Sequence, residues 1–221
     1  MTEQSEWTYV VTDIEVDGPW AGPNSMRSFA SVATTMDGRT FGEFEAVLKP
    51  LPGSAPNPRT KEWFDSEPGT WAAATTDPEP VVDVMRRYVE WVQALPGRRA
   101  FAAAPLSFDG VWIDYYLRRF TSYGLHQGPY ESDRLFHGPA LCLRSYTAAL
   151  TGRPPADLPA PELPSHWLGD VEHTHKAIDD ARGFANLLHF LARNAGTPVI
   201  TFDSQASDGS AVSSPTSATS S

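Results

Sequence analysis

"HTHKAIDDARGFANLL" (173–188) carries the pattern of an amphipathic helix with a charge set into its apolar side. Asp180, Phe184, Leu187, Leu188 and Leu191 fall at i, i+4, i+7, i+8 and i+11, one helical stripe. Asp179 lies on another face, in line with Arg182, Gly183, Asn186 and Arg193, where water could hold its charge. A carboxylate heading the stripe that must be buried needs a partner, because desolvating an unpaired charge is costly.

Two other places repeat the anomaly. In "WTYVVTDIEV" (7–16), β-branched and aromatic residues predict a strand, and Asp13 and Glu15, two apart, share a face with Tyr9 and Val11. Neighbouring carboxylates repel, and a divalent cation between them removes the conflict. An exposed polar face on an edge strand would also carry such a triplet. In "FDGVWIDYYLRRFTSYG" (108–124), Asp109 leads the stripe Trp112, Ile113, Tyr116, Leu117 and Phe120, while Asp114 faces water four residues before Arg118. Asp109 could instead serve as an N-terminal helix cap. His175 and Asp180 would lie about 140° apart on a continuous helix. They meet only if the helix begins after the histidine and the chain turns there.

The remaining elements follow from local signals. "RSFASVATTM" (27–36) and "RTFGEFEAVL" (39–48) flank Asp37-Gly38 and predict a β-hairpin. A Pro-rich stretch, about 49–77, reads as a loop. A helix is predicted over 79–95, with Val81, Met85, Tyr88, Val92 and Leu95 on its inner side. Then come a buried strand (98–104), the helix 108–124, and a short extended piece with a helix stopped by Gly152 (139–152). Five prolines in 153–170 read as a surface loop, and the last helix is predicted over 177–194. Three antiparallel strands followed by alternating helix and strand suggest an α/β fold, a mixed sheet with helices packed on it. Residues 1–6 read as a loose, flexible N-terminus, 7–202 as one folded domain, and 203–221 as a disordered Ser/Thr-rich tail.

Composition narrows the function classes. A net charge of -10 argues against coating nucleic acid by charge alone, although acidic clusters filled with divalent cations attract phosphate. Cys142 is the sole cysteine, which excludes an intramolecular disulfide and a multi-thiolate zinc site; it reads as a small buried apolar residue. The absence of a signal-like N-terminus and of a long apolar run leads to the expectation of a cytoplasmic protein with no membrane partner. No Gly-rich phosphate loop supports nucleoside triphosphate hydrolysis or hydride transfer.

Together, "TDIEVDG" (12–18), "SFDGVWIDYYL" (107–117) and "HTHKAIDDA" (173–181) resemble the three motifs of the DEDDh exonucleases. "GPNSMRSFASVA" (22–33) and "LPSHWLGDVEHTHKAIDDARGFANLL" (163–188) are similar to a bacterial group of small stand-alone exonucleases, exoribonucleases among them. The resemblance implies a ribonuclease H-like fold with a five-stranded mixed sheet flanked by helices. It implies two divalent ions, Mg²⁺ or Mn²⁺. Asp13 would touch both, Glu15 and Asp180 would hold the one that activates water, and Asp109 would help hold the other. His175 would be the general base. "AAAPLSFD" (102–109) lacks the polar or histidine-containing lead often found before the middle Asp. The implied partner is the 3′ end of single-stranded nucleic acid, RNA or short oligonucleotides first and DNA second, and a homodimer is a further expectation. The rival readings are a non-catalytic nucleic-acid-binding module and a phosphomonoesterase using the same carboxylates. Trp20, Met26 and Phe29 are candidate substrate contacts, with Trp63 and Phe64 as further stacking candidates.

Overall fold

The computed structural model describes residues 6–128 and 130–196. The expectations for the tail, and all but Glu6 of the loose N-terminus, lie outside them.

Strand β1 (Trp7–Val16) forms the middle of a five-stranded mixed sheet of order β3-β2-β1-β4-β5. On one side it pairs antiparallel with β2 (Met26–Thr34), which pairs antiparallel with β3 (Thr40–Val47). The connection passes through Asp37-Gly38, where Gly38 has φ +100°, a conformation a side chain would strain. On its other side β1 runs parallel to β4 (Arg98–Ala103), followed by the two-residue β5 (Leu141–Cys142).

Alternation along β1 separates two apolar layers. Val10 and Ile14 face the layer of α3 (Val81–Ala94) and α4 (Leu106–Phe120), with Phe101, Tyr88, Trp112, Ile113 and Tyr116. Val11 faces the layer of α5 (Leu143–Thr151) and α6 (Ala177–Arg193), with Phe184, Leu187, Leu188 and Leu191. Both helical stripes read from sequence face the core, buried throughout except for Phe120, which is only partly covered at the end of α4. Among the described residues, no helix is long and apolar enough to cross a membrane.

Two predicted loops are corrected. Residues 49–77 contain α1 (Pro58–Ser66) and α2 (Pro68–Thr75). Their prolines occupy first helical positions, where the missing N–H is not needed, and Asn57 Oδ1 caps α1 by accepting from Arg59 and Thr60 N–H. Residues 153–170 form three 3₁₀ turns, Pro155–Asp157, Ala160–Glu162 and Ser165–Leu168, which bury Leu158, Leu163, Trp167 and Leu168 against α6. Proline density marked the irregular backbone; burial came from α6 presenting Phe190, stacked on Trp167 at 4.6 Å between ring centres.

Trp167 is 2% exposed and Trp20 71% exposed. Trp167→Ala should therefore cost roughly 3–5 kcal/mol, within the range for deleting a buried Trp. Trp20→Ala should fall within about 0.5 kcal/mol of wild type, as surface changes do. Denaturant unfolding followed by circular dichroism checks both; a Trp167 variant as stable as wild type would show that this segment is a surface loop after all.

Candidate active site

Asp13 and Glu15 continue the row of Tyr9 and Val11 on the α6 side of the sheet, past the point where α6 begins. The row that is apolar over the helix becomes acidic at its end. Helix α6 starts at Ala177, after His175, and its first turn places Asp180 against that end of β1. Oxygens of Asp13, Glu15 and Asp180 lie within 4.8 Å of one another.

Asp109 arrives from the opposite layer. Helix α4 starts at Leu106, two residues earlier than predicted, so Asp109 lies inside its first turn and donates its N–H to Pro105 O. The capping alternative is thereby removed: Asp109 caps nothing, and its buried Oδ2 has no hydrogen-bond partner. Parallel β1 and β4 both end here, and crevices at the carboxyl ends of such strands are common ligand sites in α/β folds.

The electrostatics follow from four carboxyl groups gathered in one recess, with Glu15, Asp109 and Asp180 buried and Asp13 partly so. Burial above all, then repulsion from Asp109, Glu15 and Asp180, holds Asp13 well above the carboxylate range. Burial and the charges of Asp180 and Asp109 push Glu15 up to about 8. Burial pushes Asp109 up to about 7, against a partial offset from its own backbone N–H and from Arg144. An orphaned buried carboxylate oxygen and three converging hard donors fit a divalent cation bound through oxygen.

His175 adopts φ +54°, rare for a residue with a side chain, and this kink turns its ring toward Asp180. Trp63 on α1 packs edge-on against it, ring centres 5.1 Å apart, and His173 lies 4.3 Å away on the same criterion. Burial, then repulsion from His173, lowers the His175 pKa, with Asp180 and Glu67 opposing. His173, not singled out in the sequence, has Nδ1 at 2.7 Å from Asp180 Oδ1. The H-x-H spacing in an extended segment was the available signal. Asp179 stays outside, accepting from Thr174 Oγ1 at 2.9 Å and 3.5 Å from Arg182.

The substrate-contact expectations divide. Met26 and Phe29 are corrected: both are fully buried in the core, Phe29 against Phe44 and Tyr88, with no surface to offer a nucleotide. Core-facing and ligand-facing aromatics have the same local signature in a strand. Trp20 is exposed on the turn after β1, its backbone N–H donating to Asn24 Oδ1. That turn is tight: a Cβ on Gly18 would come within 2.3 Å of the Asn24 side chain. Beside Glu15 opens a cleft of about 300 Å³ walled by Val16, Pro19, Trp63, Phe64 and Phe108. Phe108 was not anticipated, because only α4 starting early brings it there.

Comparison with solved structures places the fold. The nuclease domain of 3′hExo, a DEDDh family member bound to rAMP, superposes with a TM-score of 0.58 at 10% identity, over 90% of this chain and 96% of that one. A 3′-exonuclease solved in specific recognition of the 3′ end of a histone mRNA stem-loop gives 0.59 at 9% identity, over 87% and 83%. The zinc-bound Escherichia coli exonuclease I–single-stranded DNA complex gives 0.57 at 18% identity, over 89% of this chain and 42% of that one, so the chain spans less than half of exonuclease I. The fold is ribonuclease H-like, α/β, with the five-stranded mixed sheet and flanking helices of these nucleases. No protein-family model and no curated protein sequence matches the chain.

The raised carboxyl pKa values set a pH dependence. Glu15, normally near 4.5, protonates at about 8 in the folded state. Its contribution to stability is complete below 4.5 and lost as pH rises toward 8, a range that also covers Asp109 at about 7. The melting temperature of EDTA-treated protein should fall across this window. Mn²⁺ should raise it more at pH 8 than at pH 6, and Asp109→Asn should raise it in EDTA, by roughly 2–4 °C for each kcal/mol relieved. A metal-free melting temperature that climbs from pH 5 to 8 would contradict the strained cluster.

Proposed function

We propose that this chain is a metal-dependent 3′→5′ exonuclease of the DEDDh class. It would act on single-stranded RNA or short oligonucleotides and release nucleoside 5′-monophosphates. The observation that carries the reading is the convergence of Asp13, Glu15 and Asp180 on one point beside buried Asp109, whose Oδ2 has no hydrogen-bond partner. The shared fold of the solved 3′-exonucleases supports it, as does His175 at the same recess.

Asp13, Glu15, Asp109 and Asp180 would hold two divalent ions, Mg²⁺ or Mn²⁺, which when bound stabilise charge on the attacking and leaving oxygens of an in-line displacement. His175 accepts the proton of the attacking water. Its lowered pKa keeps the imidazole neutral near pH 7, the state a general base requires. Water oxygen bonds to phosphorus, the bond from phosphorus to the 3′ oxygen breaks, and that oxygen takes up a proton as the new chain end. Trp63 and His173 restrain the His175 ring from two sides. The cleft beside Glu15 is wide enough for one nucleobase, which would stack on its aromatic walls. A terminal base freed from pairing enters such a cleft more readily than one held in a duplex.

A time course on 5′-labelled single-stranded RNA and the matching DNA tests the proposal. Wild type should give a shortening ladder with Mg²⁺ or Mn²⁺ and none with EDTA, and the faster strand identifies the substrate. Asp180→Ala should abolish the ladder. His175→Ala should lower the rate roughly 10²–10⁴-fold. Asp179→Ala should retain most of it, since an exposed ion pair contributes little. The acid limb of the wild-type rate should lie below 6.5, the unshifted histidine value. Tight nucleic-acid binding without a ladder under any metal would favour the non-catalytic module, and activity confined to a terminal phosphate would favour the phosphomonoesterase.

A further inference from the structure

Asp180 belongs to two donor groups. One is the all-carboxylate set with Asp13 and Glu15; the other pairs it with two imidazoles, His173 and His175, whose donor atoms also lie within 4.8 Å of one another. We propose that His173, His175 and Asp180 form a distinct site for zinc-class ions, and that filling it silences the hydrolytic centre. The regulatory half of this inference rests on the exonuclease reading; the binding half does not.

The donor chemistry separates the two sets. Mg²⁺ takes oxygen ligands and binds imidazole poorly, whereas Zn²⁺ combines imidazole nitrogen with carboxylate oxygen at about 2.0–2.2 Å. Tetrahedral bonds of that length place neighbouring donors about 3.3 Å apart. His173 Nδ1 and Asp180 Oδ1, now 2.7 Å apart, need only open slightly, and the other donor pairs already lie within 4.8 Å. Three protein ligands leave a fourth position for water, the usual arrangement of an open zinc site.

The backbone and surroundings preform the arrangement. The left-handed conformation at His175 folds the segment so that both rings meet the first turn of α6, and Trp63 blocks rotation of the His175 ring away from it. Asp180 is buried while both histidines are partly exposed, so an ion can enter from the histidine side. Once bound there, it occupies His175, the proposed base, and an oxygen of Asp180, which the hydrolytic ions require. Both functions of the shared residues are lost together.

The test uses the full chain with excess Mg²⁺ present throughout. Zinc affinity is read by competition with a chromogenic chelator, and inhibition as the zinc needed to halve each enzyme's own zinc-free rate. Wild type should retain one Zn²⁺ per chain against Mg²⁺. His173→Gln should weaken zinc binding by at least the roughly 10- to 100-fold seen when even an outer-shell partner is lost, and its residual hydrolysis should tolerate correspondingly more zinc. His175→Gln serves as a second variant with the same expected loss of affinity. Glu15→Gln, which damages only the carboxylate set, should leave zinc affinity nearly unchanged. Equal zinc affinity in wild type and both histidine variants overturns the site, as does a loss confined to Glu15→Gln. Zinc bound through the histidines without any effect on a measured ladder overturns the regulatory half. A protein that binds zinc as described but yields no ladder in any metal refutes the exonuclease reading and leaves the binding site standing.

Discussion

Four carboxyl groups that repel one another meet at the carboxyl ends of β1 and β4, and the rest of the molecule holds them there. In water they would separate. Here each is fixed by an element whose apolar side is already committed elsewhere. Phe184, Leu187, Leu188 and Leu191 anchor α6 over one face of the sheet, and Trp112, Ile113, Tyr116 and Leu117 anchor α4 against the other. Burial of those stripes offsets the repulsion at the helix starts. The stress remains visible in raised carboxyl pKa values and in the unpartnered Asp109 oxygen. A cation bound among them, as the proposed function requires, would relieve that strain.

The loop before α6 adds a second constraint. His175 faces Asp180 only because the helix starts at Ala177 and the histidine takes a left-handed conformation. Trp63, from a short helix more than a hundred residues earlier, closes the far side of the ring. A neutral imidazole beside a ring of carboxylates suits proton transfer from water. The same pair of side chains, joined by His173, suits a borderline metal ion. One carboxylate thus belongs to two donor groups, and under the two proposals the identity of the cation would decide which chemistry operates.

In the proposed function, the turn after β1 would link these features to a substrate. Asp17 accepts the Ser25 N–H at 2.6 Å and lies 3.6 Å from Arg27, whose guanidinium rests over Trp71. Asn24 accepts from the Trp20 backbone N–H and donates to Ala55 O, tying the turn to the segment that leads into α1. The cleft beside Glu15 therefore opens next to a turn held by hydrogen bonds, and its lining is mostly apolar. An arrangement of this kind favours stacking of a base without reading its identity.

Periodicity made much of this legible from the sequence. Alternation along 7–16 placed Asp13 and Glu15 on one face, and the 3.6-residue stripe chose Asp180 over Asp179 and Asp109 over Asp114. Those choices are local, because which side of a helix or strand is apolar depends on residues a few positions apart. The order of elements likewise pointed to a mixed sheet. Contacts between distant segments had no such signal. That Trp63 meets His175, that Phe108 walls a cleft, that Trp167 is core while Trp20 is surface, and that Met26 and Phe29 are enclosed all depend on how the layers close. The sequence by itself determined which carboxylates must turn inward; only the tertiary structure decided what meets them, since burial and proximity arise from packing across the chain.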